Sequence, residues 1–179
     1  MSLSHAIMTA LLEEELTGYE LAKRFEVSLG FFWGASHQQI YQELKRLSHG
    51  ELISGEDIDQ QGKPNKRVYA LTAMGRENLD AWVLGETKVK PGKDELLVKL
   101  YNLGYSRQDP ILDHLKMRRE ENKARLALYR KIESRQYLDP ENLPITKKGI
   151  YLALLAGILQ TETTIDWCDR SIKLLSDDF

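Results

Sequence analysis

The segment from Ser36 to Gly50 limits most strongly how this chain can fold, because it is an amphipathic helix with both ends marked. Ser36 is a good N-cap, and Gln39 three residues later completes the pattern of a capping box. The apolar residues that recur at the i, i+4 and i+7 spacing of one buried face are Ile40, Leu44 and Leu47. Gly50 is placed to end the helix in a left-handed conformation. The segment therefore predicts a helix of about four turns.

The opposite face of this helix carries amides, a phenol and a lysine in place of the usual mixture of acids and bases. At about 100° per residue, the side chains that fall on it are Gln38, Tyr41, Gln42 and Lys45. An amide pairs well with an adenine edge, and a lysine suits guanine or a phosphate, whereas a tyrosine is better suited to a phosphate. Taken alone, such a face is compatible either with contact to DNA or with ordinary solvated surface. The segment that follows decides between these two interpretations.

Two strand-like runs follow the helix, Ile53 to Asp59 and Arg67 to Thr72, and the connection between them is rich in turn-forming residues. Three basic residues lie in or beside this connection, near Gly62 and Pro64. A helix followed by a basic hairpin places side chains in the major groove of DNA while the hairpin contacts the backbone. The predicted DNA-binding residues are Ser36, Gln38, Gln39, Tyr41, Gln42, Lys45, Lys63, Lys66 and Arg67.

Helical apolar spacing also predicts a first helix over Leu3 to Leu12 and a second one that ends before Gly30. Thr72 is placed to cap a fourth helix that ends at Gly85. Two tyrosines, Tyr19 and Tyr69, fall within apolar faces and are expected in the core. Helix, helix, helix, hairpin and helix is the order of a winged helix-turn-helix, which we assign to residues 1–85.

Residues 86–93 contain a proline and a glycine and are typical of a linker, and the remainder, 94–179, is predicted to be entirely helical. Its two main helices are predicted near 107–137 and 146–175. A helix of thirty residues is about 45 Å long, so each has little of its own domain to pack against. We therefore expect this part to form a homodimer through the broad apolar face of the last helix, which includes Leu154, Leu155, Ile158 and Ile165.

The charge of the chain complicates a DNA-binding role. The net charge of the 179 residues is −2, and the first 85 contain eight lysines and arginines against twelve aspartates and glutamates. Sequence-independent binding of DNA depends on positive charge, so any contact must come from a local basic patch. An alternative role is therefore a helical protein-interaction module whose winged domain does not read DNA, which an acidic surface would suit.

Other classes of protein fit the sequence less well. The single Cys168 cannot form an internal disulfide, and residues Met1 to Leu12 lack the basic start of a signal peptide, so we expect a cytoplasmic location. The histidines show no metal-binding spacing, and no cofactor is expected. The stretch Gly34 to Gln38 lacks the second glycine of a nucleophile elbow and follows no strand, so we do not expect an enzyme. Of the three tryptophans, only Trp82, beside the linker, is a candidate effector contact.

Several short stretches resemble the PadR-type transcriptional regulators, and the resemblance covers the whole chain. The matching stretches are Gly18 to Leu21, Phe32-Trp33 before Ser36 to Tyr41, Gly62 to Pro64, Val68 to Thr72 with Gly75, and Asp94-Glu95. The combination of Phe32-Trp33, the stretch after it and a long helical tail is most similar to the branch that contains virulence-gene activators. The resemblance implies a homodimeric regulator of transcription that binds a partly palindromic promoter site. It also implies an input that differs among members, either a small aromatic effector or a partner regulator.

Overall fold

A computed structural model of the chain describes residues 3–27, 34–59, 65–87, 92–105 and 109–176. The chain divides into two compact units, Met1–Lys88 and Val89–Phe179, which we call unit 1 and unit 2. Each unit contains its own cluster of buried apolar side chains. The linker expected at residues 86–93 stays a prediction, because part of it lies outside the described residues.

Unit 1 is a winged helix-turn-helix, as the sequence predicted. Its elements are α1 (Leu3–Ala10), β1 (Leu16–Thr17), α2 (Gly18–Val27), α3 (His37–His49), β2 (Ile53–Ile58), β3 (Lys66–Leu71) and α4 (Ala73–Leu84). The strands form an antiparallel sheet in the order β1-β3-β2, in which Ile53 lies opposite Leu71 and Leu16 lies opposite Tyr69. Strand β1 was not predicted, because two residues are too few to show an alternating pattern.

The core of unit 1 lies among α1, α2 and α3. The three apolar residues of α3 are buried as predicted, with exposed fractions of 0% for Ile40 and 1% for both Leu44 and Leu47. Tyr69 packs against this core, but Tyr19 is 65% exposed, so its predicted burial was wrong. The buried face of α2 consists of Gly18, Leu21, Ala22 and Phe25. The error arose because this face is rotated from the one that the sequence suggested.

The start of α3 was predicted correctly, but its end was not. The capping box is complete, since the Gln39 amide N–H donates to the Ser36 Oγ at 3.2 Å and the Ser36 amide N–H donates to the Gln39 Oε1 at 2.8 Å. The predicted left-handed stop at Gly50 was wrong, because Gly50 has a φ of −84° and Glu51 has a φ of 56°. The Leu52 N–H reaches the Leu47 carbonyl at 3.0 Å, which makes the end a Schellman motif centred on Glu51.

Unit 2 is helical, with α5 (Glu95–Leu100), α6 (Asp109–Gln136) and α7 (Ile145–Ser176). Helices α6 and α7 pack against each other, and the ion pairs between them show that they run in opposite directions. Ion pairs join them from Arg119 to Asp169 at 3.1 Å and from Arg130 to Glu162 at 2.6 Å. Cys168 is buried in the core of this unit with Leu96, Ile111 and Leu115, and burial raises the pKa of its thiol.

Two of the residues predicted at the dimer interface are buried within a single chain. Leu154 is 1% exposed and Ile158 is 0% exposed, and both lie on a face of α7 that is buried inside unit 2. The assignment of these two residues to a contact between subunits was therefore wrong, because their apolar surface is already covered. Leu155 and Ile165 are only partly buried and remain candidates for that contact.

Candidate nucleic-acid interface

The polar face of α3 is presented to solvent. Its four residues, Gln38, Tyr41, Gln42 and Lys45, are all exposed, and they lie opposite the apolar residues that the core buries. Ser36 and Gln39 are also exposed, but their hydrogen bonds to each other hold the first turn of the helix. In Gln39 the cap uses the carbonyl oxygen, so its amide nitrogen can still donate to a base or a phosphate. The helix thus presents donors and acceptors of the kind that read base edges.

Tyr41 joins this face to the start of α2. A Cβ added to Gly18 would lie 2.5 Å from the Tyr41 Cε1 and 3.2 Å from its hydroxyl oxygen, so the ring lies directly against the glycine backbone. At that point α2 begins with a second capping box, in which the Thr17 amide N–H donates to the Glu20 carboxylate at 2.8 Å. Hydrogen bonds from Thr17 lower the pKa of Glu20. This cap was not predicted from the sequence, although a threonine followed by a glutamate three residues later is its usual signature.

The wing, formed by β2, β3 and the connection between them, carries the other predicted contacts. Lys66 is partly buried on β3, and Arg67 forms an ion pair of 3.6 Å with Asp57 on the facing strand. Lys63 lies outside the described residues. At the base of the described tip, the Asn65 amide donates to the Asp59 carboxylate at 2.6 Å. Of the wing residues that the structure describes, Arg67 therefore has an acidic partner on the facing strand.

A small polar cluster attaches α3 to α1. The Ser4 hydroxyl, on a residue that is 4% exposed, donates to the Glu43 Oε1 at 2.5 Å and accepts from the Arg46 Nη2 at 2.5 Å. Arg46 also donates to Glu43 directly, and this hydrogen bond is the main reason that the pKa of Glu43 is lowered. Arg46 follows Lys45 in α3 and would extend the basic surface of this helix if its side chain had no acidic partner. Its guanidinium is instead turned toward α1, where it helps to fix the orientation of α3.

The Glu43 cluster makes the stability of unit 1 depend on pH. We expect Glu43→Gln to lower the free energy of unfolding at pH 7 by about 1.5 to 3 kcal/mol, the range for hydrogen bonds that involve a charged group. The folded-state pKa of Glu43 is depressed, so its contribution is present above the unfolded-state value of about 4.3 and is lost as the pH falls through the folded-state value. Urea unfolding at pH 7 and pH 3 should show a smaller difference between variant and wild type at pH 3.

Glu77→Gln, which removes an exposed carboxylate from α4, is the matched control and should change the free energy of unfolding by less than about 0.5 kcal/mol. An equal loss of stability for Glu43→Gln at both pH values would contradict the assigned role of its charge.

Trp82, the candidate effector contact, stacks on His5 of α1 with ring centroids 4.5 Å apart and an angle of 20° between the planes. The indole is 38% exposed, so part of its face is accessible. Burial is the largest cause of the lowered pKa of His5. The contact places Trp82 beside the helix that holds α3, and its role toward an effector stays a prediction.

Across the described ranges of the chain, no group of three histidine, cysteine, aspartate or glutamate side chains is arranged to hold a metal ion. Within the same residues, no helix is both long enough and apolar enough to cross a membrane.

The fold and the polar face of α3 define a class, a winged helix-turn-helix protein with a helical carboxy-terminal unit. Residues 7–81 match the family model "Transcriptional regulator PadR-like family", and residues 93–176 match "Virulence activator alpha C-term". A probable transcriptional regulator of Mycobacterium tuberculosis, Rv1176c, is 35% identical over 187 residues, covering 99% of each protein. The chain belongs to the PadR family of transcriptional regulators, so the predicted family is confirmed and the protein is not an enzyme.

Two solved relatives share the architecture over nearly the whole chain. The Vibrio cholerae virulence activator AphA is 30% identical with a TM-score of 0.82, over 99% of this chain and 100% of AphA. Bacillus subtilis PadR in complex with operator DNA is 27% identical with a TM-score of 0.81, over 96% of this chain and 98% of PadR. The same PadR has been solved with p-coumaric acid, at 25% identity and a TM-score of 0.74, over 97% of this chain and 95% of that one.

Proposed function

We propose that this regulator binds a partly palindromic promoter site as a homodimer and reads its sequence through the polar face of α3. The observation that carries the proposal is the exposure of two glutamines, a tyrosine and a lysine on one face, opposite the apolar face that fixes the helix in the core. A relative of the same architecture, Bacillus subtilis PadR, forms a complex with operator DNA. That complex supports the assignment of DNA as the partner of this chain.

The contacts divide by chemistry. Gln38 and Gln42 carry side chains that can donate to and accept from the same adenine, so they read bases. The Tyr41 hydroxyl, held against the first turn of α2, and the wing cations are suited to phosphates, which fix position without reading sequence. Lys45 can serve either a guanine or a phosphate. Sequence preference should therefore depend on the two glutamines more than on the wing.

We expect Gln38→Ala and Gln42→Ala each to weaken binding at the operator by about 1 to 3 kcal/mol and to leave binding to random DNA nearly unchanged. The reason is that an amide that reads a base contributes only at the matching sequence. Fluorescence anisotropy with an operator duplex and a random duplex measures both affinities. Gln136→Ala, at the exposed end of α6, is the control and should change neither. Equal losses on both duplexes would show that the glutamines do not read bases.

The dimer contact is assigned to an exposed apolar face of α7, with the partly buried Leu155 and Ile165 as further proposed contacts. Three large apolar residues recur on it at seven-residue spacing, Ile145, Leu152 and Leu159, and their exposed fractions are 83%, 61% and 54%. At about 100° per residue, this face lies opposite the one that is buried inside unit 2. Seven-residue spacing is the pattern by which helices of two chains pack together. A second copy covers the face on both subunits and pairs two α3 helices for successive major grooves.

We propose that a small aromatic effector controls the activity of this regulator, and the alternative is control by a partner regulator. The complex of Bacillus subtilis PadR with p-coumaric acid supports the first, and the partly exposed Trp82 is the residue that we assign to such a contact. We also propose a cytoplasmic location, since a regulator of transcription acts where the DNA is. A protein-interaction role without DNA reading remains the second candidate function, because the first 85 residues carry more acidic than basic groups.

A further inference from the structure

We propose that Asp57 competes with DNA phosphates for Arg67, and that this competition restrains the affinity of the wing for DNA of any sequence. The inference rests on the proposed function, since it concerns how strongly the same surface binds. It gives a role to an acidic residue in a region where acids outnumber bases.

The pairing follows from the register of the wing. Asp57 lies directly opposite Arg67 in the β2–β3 ladder, and the Arg67 Nη1 is 3.6 Å from the Asp57 Oδ2. Both side chains are at least half exposed, at 50% for Arg67 and 67% for Asp57. An exposed pair of this kind contributes little to folding, because water screens it. Its main consequence is therefore for what Arg67 can bind.

Gly55 leaves room for the Arg67 side chain to lie flat on the sheet. A Cβ added to Gly55 would lie 2.6 Å from the Arg67 Nε and 3.1 Å from its Nη2, so the guanidinium lies directly over the glycine. The same guanidinium is 6.0 Å from the centre of the Tyr69 ring. Asp57, Gly55 and Tyr69 thus hold Arg67 along the hairpin from three positions. Gly55 does not have a positive φ, so the absence of a side chain is the feature that matters here.

To bind a phosphate, Arg67 must leave Asp57, and the carboxylate that remains repels the DNA backbone. Arg67 therefore gains less free energy from binding a phosphate than an unpaired cation would, because its Coulomb interaction with Asp57 is lost. Phosphate contacts supply most of the affinity for random DNA, so the exchange weakens this binding directly. The base-reading residues of α3 are unaffected by the pair.

The test uses four single variants of the full chain, two double variants that combine Arg67→Ala with Asp57→Asn or Glu56→Gln, and a fluorescein-labelled duplex of random sequence. Asp57→Asn should tighten binding about three- to five-fold and steepen the logarithmic salt dependence by up to about one unit. Glu56→Gln is the matched control, because it removes the same charge one residue away on the opposite face of β2, against Val68. It should tighten binding less than two-fold. Gly55→Ala displaces Arg67 without changing any charge and should act in the same direction as Asp57→Asn.

The decisive comparison is made in a protein that already carries Arg67→Ala. In that background Asp57→Asn should have no more effect than Glu56→Gln, because no arginine remains to be released. Equal effects of Asp57→Asn and Glu56→Gln in the wild-type background would overturn the inference alone. So would an effect of Asp57→Asn that persists without Arg67. An absence of DNA binding by every protein, including the wild type, would overturn the proposed function and with it this inference.

Discussion

Gly75→Ala is expected to destabilise unit 1 by about 3 kcal/mol, although alanine favours a helix over glycine by about 1 kcal/mol. A Cβ at this position would overlap the Leu52 carbonyl oxygen, lie 2.9 Å from the carbonyl carbon, and lie 2.8 Å from the Leu71 Cδ1. Glycine is therefore required where α4 begins against the base of the wing. The steric cost exceeds the gain in helix propensity because the nearest neighbour is backbone.

That backbone cannot move aside cheaply. The Leu52 carbonyl accepts from the Thr72 amide N–H at 3.2 Å, and the Thr72 hydroxyl shares its one proton between the Glu51 carbonyl at 2.8 Å and the Leu52 carbonyl at 3.0 Å. The same hydroxyl accepts from the Gly75 amide N–H at 3.0 Å and caps α4. A shift of Leu52 or of α4 that relieves the overlap would strain or break these hydrogen bonds, each of which contributes about 1 kcal/mol. One extra methyl group thus disturbs the junction between the wing and the last helix of unit 1.

Urea unfolding of the full chain measures this effect, followed by tryptophan fluorescence in a Trp167→Phe background so that the signal comes from unit 1. Met74→Ala, one residue earlier on the same helix turn and 44% exposed, is the control and should change the free energy of unfolding by less than about 0.5 kcal/mol. A Gly75→Ala protein as stable as the wild type would contradict the packing described at this junction.

Leu159→Asp is expected to raise the dissociation constant of the dimer by about a hundredfold or more, and operator binding should fail with it. Leu159 is 54% exposed on the α7 face assigned to the partner subunit, near the middle of the helix. A charge placed there is buried twice in a two-fold dimer, once in each subunit, and loss of a central contact costs at least about 2 kcal/mol. Each monomer would keep its α3 face but would contact only half of a palindromic site.

Analytical ultracentrifugation and operator binding on the same samples measure the two losses together. Leu138→Asp, which changes an 85% exposed leucine in the connection between α6 and α7, is the control and should leave both properties intact. Circular dichroism establishes that each variant is folded. A Leu159→Asp protein that remains a dimer at micromolar concentration would place the subunit contact elsewhere.

The parts of the fold that could be predicted from the sequence are those that depend on residues close together in the chain. The N-caps at Ser36 and Thr72 depend on residues within three positions, and both are present as predicted. The order of helices and strands follows from such signals, so the winged fold was predictable. By contrast, the Ser4 hydroxyl and the Arg46 guanidinium meet across 42 positions of the chain, and no local pattern indicates that contact.

The predictions that were wrong, or that could not be made, also concern contacts between residues that are distant in the sequence. Apolar spacing shows that α7 has a broad apolar face, but it cannot show whether a residue such as Leu154 is covered within its own chain or by another copy. At Tyr19, a difference of one residue in the choice of the buried face moved an aromatic ring from the core to the surface. The pairing of Arg67 with Asp57 depends on strand register, which is set by the whole hairpin and not by the residues near its tip.

The central claim is that the polar face of α3 reads DNA sequence within a two-fold dimer. Its most direct test is to sequence the DNA fragments that the full chain retains from its own genome, beside those retained by a Gln38→Ala/Gln42→Ala variant. We predict that the wild-type fragments share a partly palindromic sequence with half-sites about one helical turn of DNA apart, or a multiple of it, and that the variant loses this enrichment. Fragments without a common sequence, or equal enrichment by the variant, would contradict the claim.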